Sequence, residues 1–390
     1  MLKQMNPLVT ARETIAPVVQ KGLFSTKLLS TEPTNFFAIT ERRKILNEIL
    51  SPPQPFGNEL YPVESLFRSL YQTLIDAVFA ENTFTSNFFQ NNELTNSIFR
   101  LTFKFIESFM NNLIEKITDP VCIVFLLEII FSQTKIISKS QILCLDKNSM
   151  FLKNKLINWC KTILITNNDS IKHCNLNNFI NPYKITSFIL RFGDLSQSLS
   201  FFQDLEVQQI IVSELSILSN SIIEVLDKIS KTFLEEEKRI IFLINNYYHV
   251  VLLLSGFEEK SSLYPIYAKI LKEAIENYIL FKIKFNFSRL YETVISAYSS
   301  LDSSEPNEIN ISTNEIKEIA IDFKEKYFKI LKDVDNYHQT IFCDHINGRE
   351  ITKQYFKKIV LFWAKFEMIA KNITHNNSFI SSILDAMQLV

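Results

Sequence analysis

Glycine is scarce in this chain of 390 residues, numbering five. Gly22, Gly57, Gly193, Gly256 and Gly348 stand far apart. A phosphate-cradling loop or a dinucleotide fingerprint needs several glycines within a few residues, so both are excluded. Net charge is also lacking: 41 basic residues face 42 acidic ones, a formal charge of −1. No global field draws such a chain to nucleic acid or to an anionic surface, and the partner class that charge leaves open is other proteins. The five cysteines, Cys122, Cys144, Cys160, Cys174 and Cys343, form no CxxC pair and are odd in number, as expected of reduced thiols. No secretory-type apolar core lies in the first 20 residues.

Signatures of catalysis are equally sparse. There is no GxSxG turn to expose a nucleophile. Cys343, Asp344 and His345 with His338 form the best candidate metal cluster, and His173 and Cys174 with Cys160 the second. Neither has a matching second half at zinc-ligand spacing. The carboxylate pairs Glu258–Glu259 and Asp333–Asp335 fall at helix ends or in loops, where solvated faces are the rule. The expectation is no catalytic residue, no metal and no cofactor.

What the chain has is apolar periodicity. Hydrophobic residues make up 47% and charged residues 21%, an ordinary globular balance. Residues 238–254, KRIIFLINNYYHVVLLL, are the strongest apolar stretch. Ile240, Ile241, Leu243, Ile244, Tyr247, Tyr248, Val251 and Leu254 recur at spacings of three and four, the period of a helix buried on a broad face. A membrane span needs about 20 nearly uninterrupted apolar residues. Asn245, Asn246 and His249 interrupt this one.

Similar stripes recur along the chain and predict an all-α fold. Leu66, Leu70, Leu74, Ile75 and Val78 follow Pro62, which suits a first helical turn, and Glu64, which suits its positive end. Ile98, Leu101, Phe105, Phe109 and Leu113 form the next stripe. Asp119 and Pro120 read as a helix cap and first position before 121–131, a segment too short and too charged for a span. A helix is predicted over 148–164, an Asn-rich loop over 166–183, then helices over 185–202, 205–233, 264–287 and 287–298, with Gly256 as a helix stop. Ile316, Ile319, Phe323, Tyr327 and Ile330, and later Ile359, Phe362, Phe366, Ile369 and Ile373, read as antiparallel bundle helices. Three parts are expected: an extended or partly ordered lead-in over 1–60, broken by Pro7, Pro17, Pro33, Pro52, Pro53 and Pro55; a helical body over 61–300; and a C-terminal bundle over 314–390 after a polar linker at 299–313.

Four segments carry a resemblance. Lys21, Gly22, Leu23, Phe24 and Ser25 resemble a KKGFFS word. Tyr61, Pro62, Val63, Glu64, Ser65, Leu66, Phe67, Arg68 and Ser69 resemble YPFEALFRS. Phe242, Leu243, Ile244, Asn245, Asn246 and Tyr247 match VFLINNYD, with Tyr248 in place of the acidic residue. The acidic-to-basic step Glu236, Glu237, Lys238 precedes them. In order and rough spacing these words resemble the vacuolar protein sorting-associated protein 52 family, the large subunit of the Golgi-associated retrograde protein (GARP) complex and of its endosomal relative.

The resemblance implies an elongated rod of stacked helical bundles, and a non-catalytic cytosolic subunit recruited peripherally to trans-Golgi network and endosome membranes. It implies capture of endosome-derived carriers and support of SNARE assembly. The implied partners are the other complex subunits, SNAREs and Rab- and Arl-type small GTPases. The family places a coiled-coil region ahead of the KGFFS-like word, and 20 residues precede Lys21 here, so a chain lacking most of that region is expected. The alternative is another all-helical scaffold, an exocyst-like rod or a solenoid. The two asparagines of the opening stretch are expected to satisfy a local hydrogen-bond network rather than to touch a partner.

Overall fold

The computed structural model describes residues 63–374 apart from 92, 141, 177–180, 203, 260, 299–300, 302–305 and 307–310. The described residues form eleven helices and no strand. They are α1 (Val63–Phe89), α2 (Glu93–Ile114), α3 (Pro120–Ile137), α4 (Leu143–Lys172), α5 (Ser187–Leu199), α6 (Leu205–Ser230), α7 (Glu236–Leu254), α8 (Tyr264–Asn286), α9 (Ser288–Ala297), α10 (Thr313–Ile341) and α11 (His345–Thr374). The chain is all-α, as its periodicity predicts. The expected lead-in over 1–60 lies outside the described residues.

Two compact units share the chain. One holds α1 to α5, α6 as far as Lys228, and His249–Ile266; the other holds Phe179–Ile185, Ile229–Tyr248 and the chain from Tyr267 onward. The first unit is built around α3, buried on nearly every side from Pro120 to Phe131. Asp119 Oδ1 accepts from the Val121 amide at 2.9 Å and Pro120 takes the first helical position, the predicted start signal. α3 runs beyond the expected 121–131 to Ile137, so that, against the sequence reading, it is long and apolar enough to cross a membrane by length and composition; most of it is buried in this unit. It packs against α1, α4 and α5. Phe125 meets Phe202 edge-on, ring centroids 4.9 Å apart. In the second unit α9, α10 and α11 pack together. Trp363 stacks on Phe323 at 4.5 Å, and Phe323 on Tyr327 at 5.6 Å. Ser312 and Glu315 close a capping box at the start of α10.

Three local readings need correction. α4 runs through the predicted loop to Lys172. Its polar residues bond to the helix's own carbonyls: Thr166 Oγ1 donates to Thr162 O, Asn167 Nδ2 to Ile163 O and Ser170 Oγ to Asn167 O, while Ile171 supplies a buried apolar anchor. Satisfied in this way, Asn and Ser no longer break a helix. Gly256 does not end α7 with a left-handed cap, because no described glycine has a positive φ. Tight turns end it instead, with Ser255 N donating to Leu252 O and Phe257 N to Leu254 O. On α2 the expected stripe is not the buried face: Phe109 and Leu113 are half-buried and its other members are exposed. Phe103, Ile106, Met110 and Ile114 are buried, whereas Ile98, Leu101 and Phe105 are exposed.

Candidate functional site

The family words fall on two helices. Gly22, Phe24, Tyr61 and Pro62 lie outside the described residues. Glu64, Leu66 and Phe67 are buried in the first turns of α1, and Arg68 is half-buried. Phe67 stacks on Tyr71 with centroids 5.7 Å apart. Burial pushes the Tyr71 hydroxyl up to about 12. Phe242, Asn245, Asn246 and Tyr247 are buried in α7 and Leu243 is half-buried. Glu64 to Arg68 belong to the first unit and Phe242 to Tyr247 to the second.

The second set builds the most developed polar constellation. Asn245 sits on the inner face of α7, 1% exposed, because its place in the helical period is a core position. A polar side chain there costs stability unless both ends of its amide are satisfied. Nδ2 donates to the Ile341 carbonyl at 3.0 Å and, at 3.4 Å, to that of Tyr183. Oδ1 accepts from the Cys343 amide at 3.0 Å. One amide thus ties α7 to the turn after α10 and to the segment holding Tyr183. The Cys343 thiol donates to the same Tyr183 carbonyl at 3.0 Å. Desolvation around the sulfur pushes that thiol up to about 11, so it stays protonated and a donor.

Neighbouring residues extend the clasp. Tyr248 donates to Asp344 Oδ1 at 3.4 Å. The same oxygen accepts from the Ile346 and Asn347 amides at 2.7 and 3.0 Å, capping the first turn of α11. Asn246 Nδ2 donates to the Phe242 carbonyl one turn back at 2.8 Å. At the start of α7, Glu237 pairs with Lys282 at 2.7 Å, and Lys282 Nζ lies 4.6 Å from the Tyr337 ring centre. Burial, then the Glu237 charge, raises the Tyr337 hydroxyl.

The candidate metal residues have structural work here. Cys343 and Asp344 belong to the clasp. His338 is fully buried, with Nδ1 2.9 Å from Thr352 Oγ1, whose proton goes to Gly348 O at 3.0 Å. The hydroxyl is therefore the acceptor for the ring, which places a proton on Nδ1. Burial, then the Lys282 charge, holds His338 down to about 3. His173 Nδ1 lies 2.8 Å from the Asp169 carbonyl. Among the described residues no group of three His, Cys, Asp or Glu could hold a metal ion. The clasp bonds span 62 to 160 positions. No local pattern announces them; the one signal is a run of polar residues, 343 to 345, at a turn between two apolar-striped helices.

The described residues are thus an all-helical framework whose polar clasp cross-links segments of one unit. Its family is set by comparison. Residues 7–279 match the family model "Vps52, C-terminal". The chain is 24% identical to Arabidopsis thaliana vacuolar protein sorting-associated protein 52 A over 351 residues, 86% of this chain and 48% of that protein. It is 24% identical to the Arabidopsis 52 B protein over 387 residues, 95% of this chain and 54% of that one. The chain belongs to the Vps52 family, and it spans about half the length of the curated relatives it matches.

Proposed function

We propose that this chain is a non-catalytic subunit of a multisubunit membrane-tethering complex acting in vesicle transport. In the finer reading it captures endosome-derived vesicles at the trans-Golgi network and supports SNARE-mediated fusion in retrograde transport. It associates peripherally with Golgi and endosome membranes and assembles with the other subunits of a GARP-type complex. SNAREs and Rab- or Arl-type GTPases are the further partners of this reading. The observation that carries it is the family match across 7–279, joined to two relatives named for vacuolar protein sorting. The physics agrees with the role: a tether holds surfaces at a distance and presents helix faces to partner helices, which needs packing and no chemistry. Affinity purification of the tagged chain from its native cells tests it. Three other large helical subunits are expected in stoichiometric yield. Recovery of none of them, or of a different helical assembly, would overturn the proposal.

A further inference from the structure

α11 carries the largest excess of one charge of any described helix: Arg349, Lys353, Lys357, Lys358, Lys365 and Lys371 against Glu350 and Glu367, in a chain of formal charge −1. Several of these groups are engaged inside the second unit. Lys358 pairs with Glu276, Lys365 Nζ lies 4.2 Å from the Tyr298 ring centre, and Glu367 accepts from Trp363 Nε1 at 2.8 Å. Glu350 accepts from the Gln354 side chain at 3.3 Å. Arg349, Lys353 and Lys357 differ. They stand one turn apart on one exposed face, and none has an ion-pair or hydrogen-bonding side-chain partner among the described residues. Like charges four positions apart on a helix are about 6 Å from one another and destabilise it. The exposed faces of α8 and α10 avoid this: Lys269 faces Glu273 at 4.0 Å and Asp322 pairs with Lys326, each four positions apart. The row on α11 is balanced only by salt or by an anionic neighbour.

The same face turns apolar further along the helix. Val360, Leu361 and Met368 follow in register and are 38%, 36% and 42% exposed. From Arg349 to Met368 the stripe is about 29 Å long, basic in its first half and apolar in its second. We propose that this face binds an acidic amphipathic helix of a partner protein. Carboxylates one turn apart lie against Arg349, Lys353 and Lys357, and apolar side chains against Val360, Leu361 and Met368. Charge complementarity sets the first half of that partner and steers its approach. The second half selects a helix over a bilayer. A helix lying on a membrane sinks its apolar face about 5–10 Å into lipid and holds its cations on the opposite, polar face. Here the apolar side chains are more than half buried in their own unit, so they offer a flat contact without that reach. Cations and apolar groups also succeed one another along the axis instead of lying on opposite faces. Packed helices, with axes about 8–10 Å apart, need only such a flat stripe. The inference uses α11 alone, beyond the family match at 7–279, and does not rest on the tethering reading.

A synthetic probe tests the assignment: a stapled helix of about 20 residues, with Glu at three positions one turn apart and Leu on the same face of its second half. Fluorescence anisotropy against the intact chain should show saturable binding. R349E/K353E/K357E and L361D/M368D should each weaken it at least tenfold. A peptide of the same composition with its Glu and Leu scattered around the helix should bind at least tenfold more weakly. All five side chains are exposed, so circular dichroism of both variants should match the wild type. A peptide with Lys in place of Glu should bind R349E/K353E/K357E and not the wild type, an exchange that a misfolded variant would not show. No binding of the acidic helix, equal binding of the scattered one, or binding that survives either variant would overturn the proposal. So would flotation with phosphatidylcholine–phosphatidylserine vesicles, or a concentration-dependent dimer, that R349E/K353E/K357E removes, since each gives the face another occupant.

Discussion

α7 and α2 are both striped helices, and they depart from the simple amphipathic pattern in opposite directions. α7 turns polar side chains inward, where Asn245 bonds Tyr183, Ile341 and Cys343. α2 turns apolar side chains outward at Ile98, Leu101 and Phe105. Period three to four fixes the helix in each case. It does not say which face meets a neighbour, because that depends on segments far away in the chain. A buried amide marks a place where several segments converge, and an exposed apolar stripe marks a face that the described residues leave uncovered.

Substitutions on the two helices sharpen that contrast. The largest effect should come from the inner face of α2. Phe103→Ala, at a buried ring, should cost about 4 kcal/mol in urea unfolding, whereas Leu101→Ala on the outer face should cost under about 1 kcal/mol. Equal costs would erase the distinction between the faces. Asn245→Leu should cost about 3 kcal/mol, since it strips partners from the Ile341 carbonyl and the Cys343 amide at once. Lys282→Met should cost about 2 kcal/mol by leaving Glu237 unpaired, and the double change Glu237→Leu/Lys282→Met should recover most of that. A double variant no more stable than the single one would show that packing of Lys282 matters more than its charge.

The buried polar side of the contrast also predicts a pH effect. His338 titrates near 3 in the fold against an ordinary 6.5. Above 6.5 both folded and unfolded forms are neutral there, and its contribution is complete. Between 6.5 and 3 the unfolded chain takes up a proton that the fold refuses, so stability falls as pH falls, by up to about 1.4 kcal/mol per pH unit. In urea titrations from pH 7 to 4, His338→Gln should remove that increment of slope; an unchanged slope would mean that other groups set it. The smallest effect belongs to Asn246→Leu. The bond from Asn246 to Phe242 O is additional to the backbone ladder of α7, so far-ultraviolet circular dichroism should show unchanged helix content.

Much of the architecture is legible in the sequence. The start of α3 was written in Asp119 and Pro120, and the break between α8 and α9 falls at the predicted Phe287. The family words fall on Asn245 and Asn246; Asn246 bonds within its own helix, whereas Asn245 bonds segments 62 to 98 positions away, which a helical period does not show. Other features were not legible. Asn167 and Ser170 look like loop residues until Ile163 and Asn167 supply their acceptors. Tyr183 and Cys343 stand 160 positions apart and meet only in the folded second unit. The capping role of Asp344 was not legible because it depends on where α11 begins.

The central claim is that Asn245 is an internal clasp rather than a partner contact. Hydrogen exchange at the turn holding Cys343 tests it most directly. In Asn245→Leu, exchange of the peptide covering 341–344 should rise at least tenfold under native conditions, while peptides from α3 stay at the wild-type rate. Wild-type protection of that turn in the variant would contradict the account.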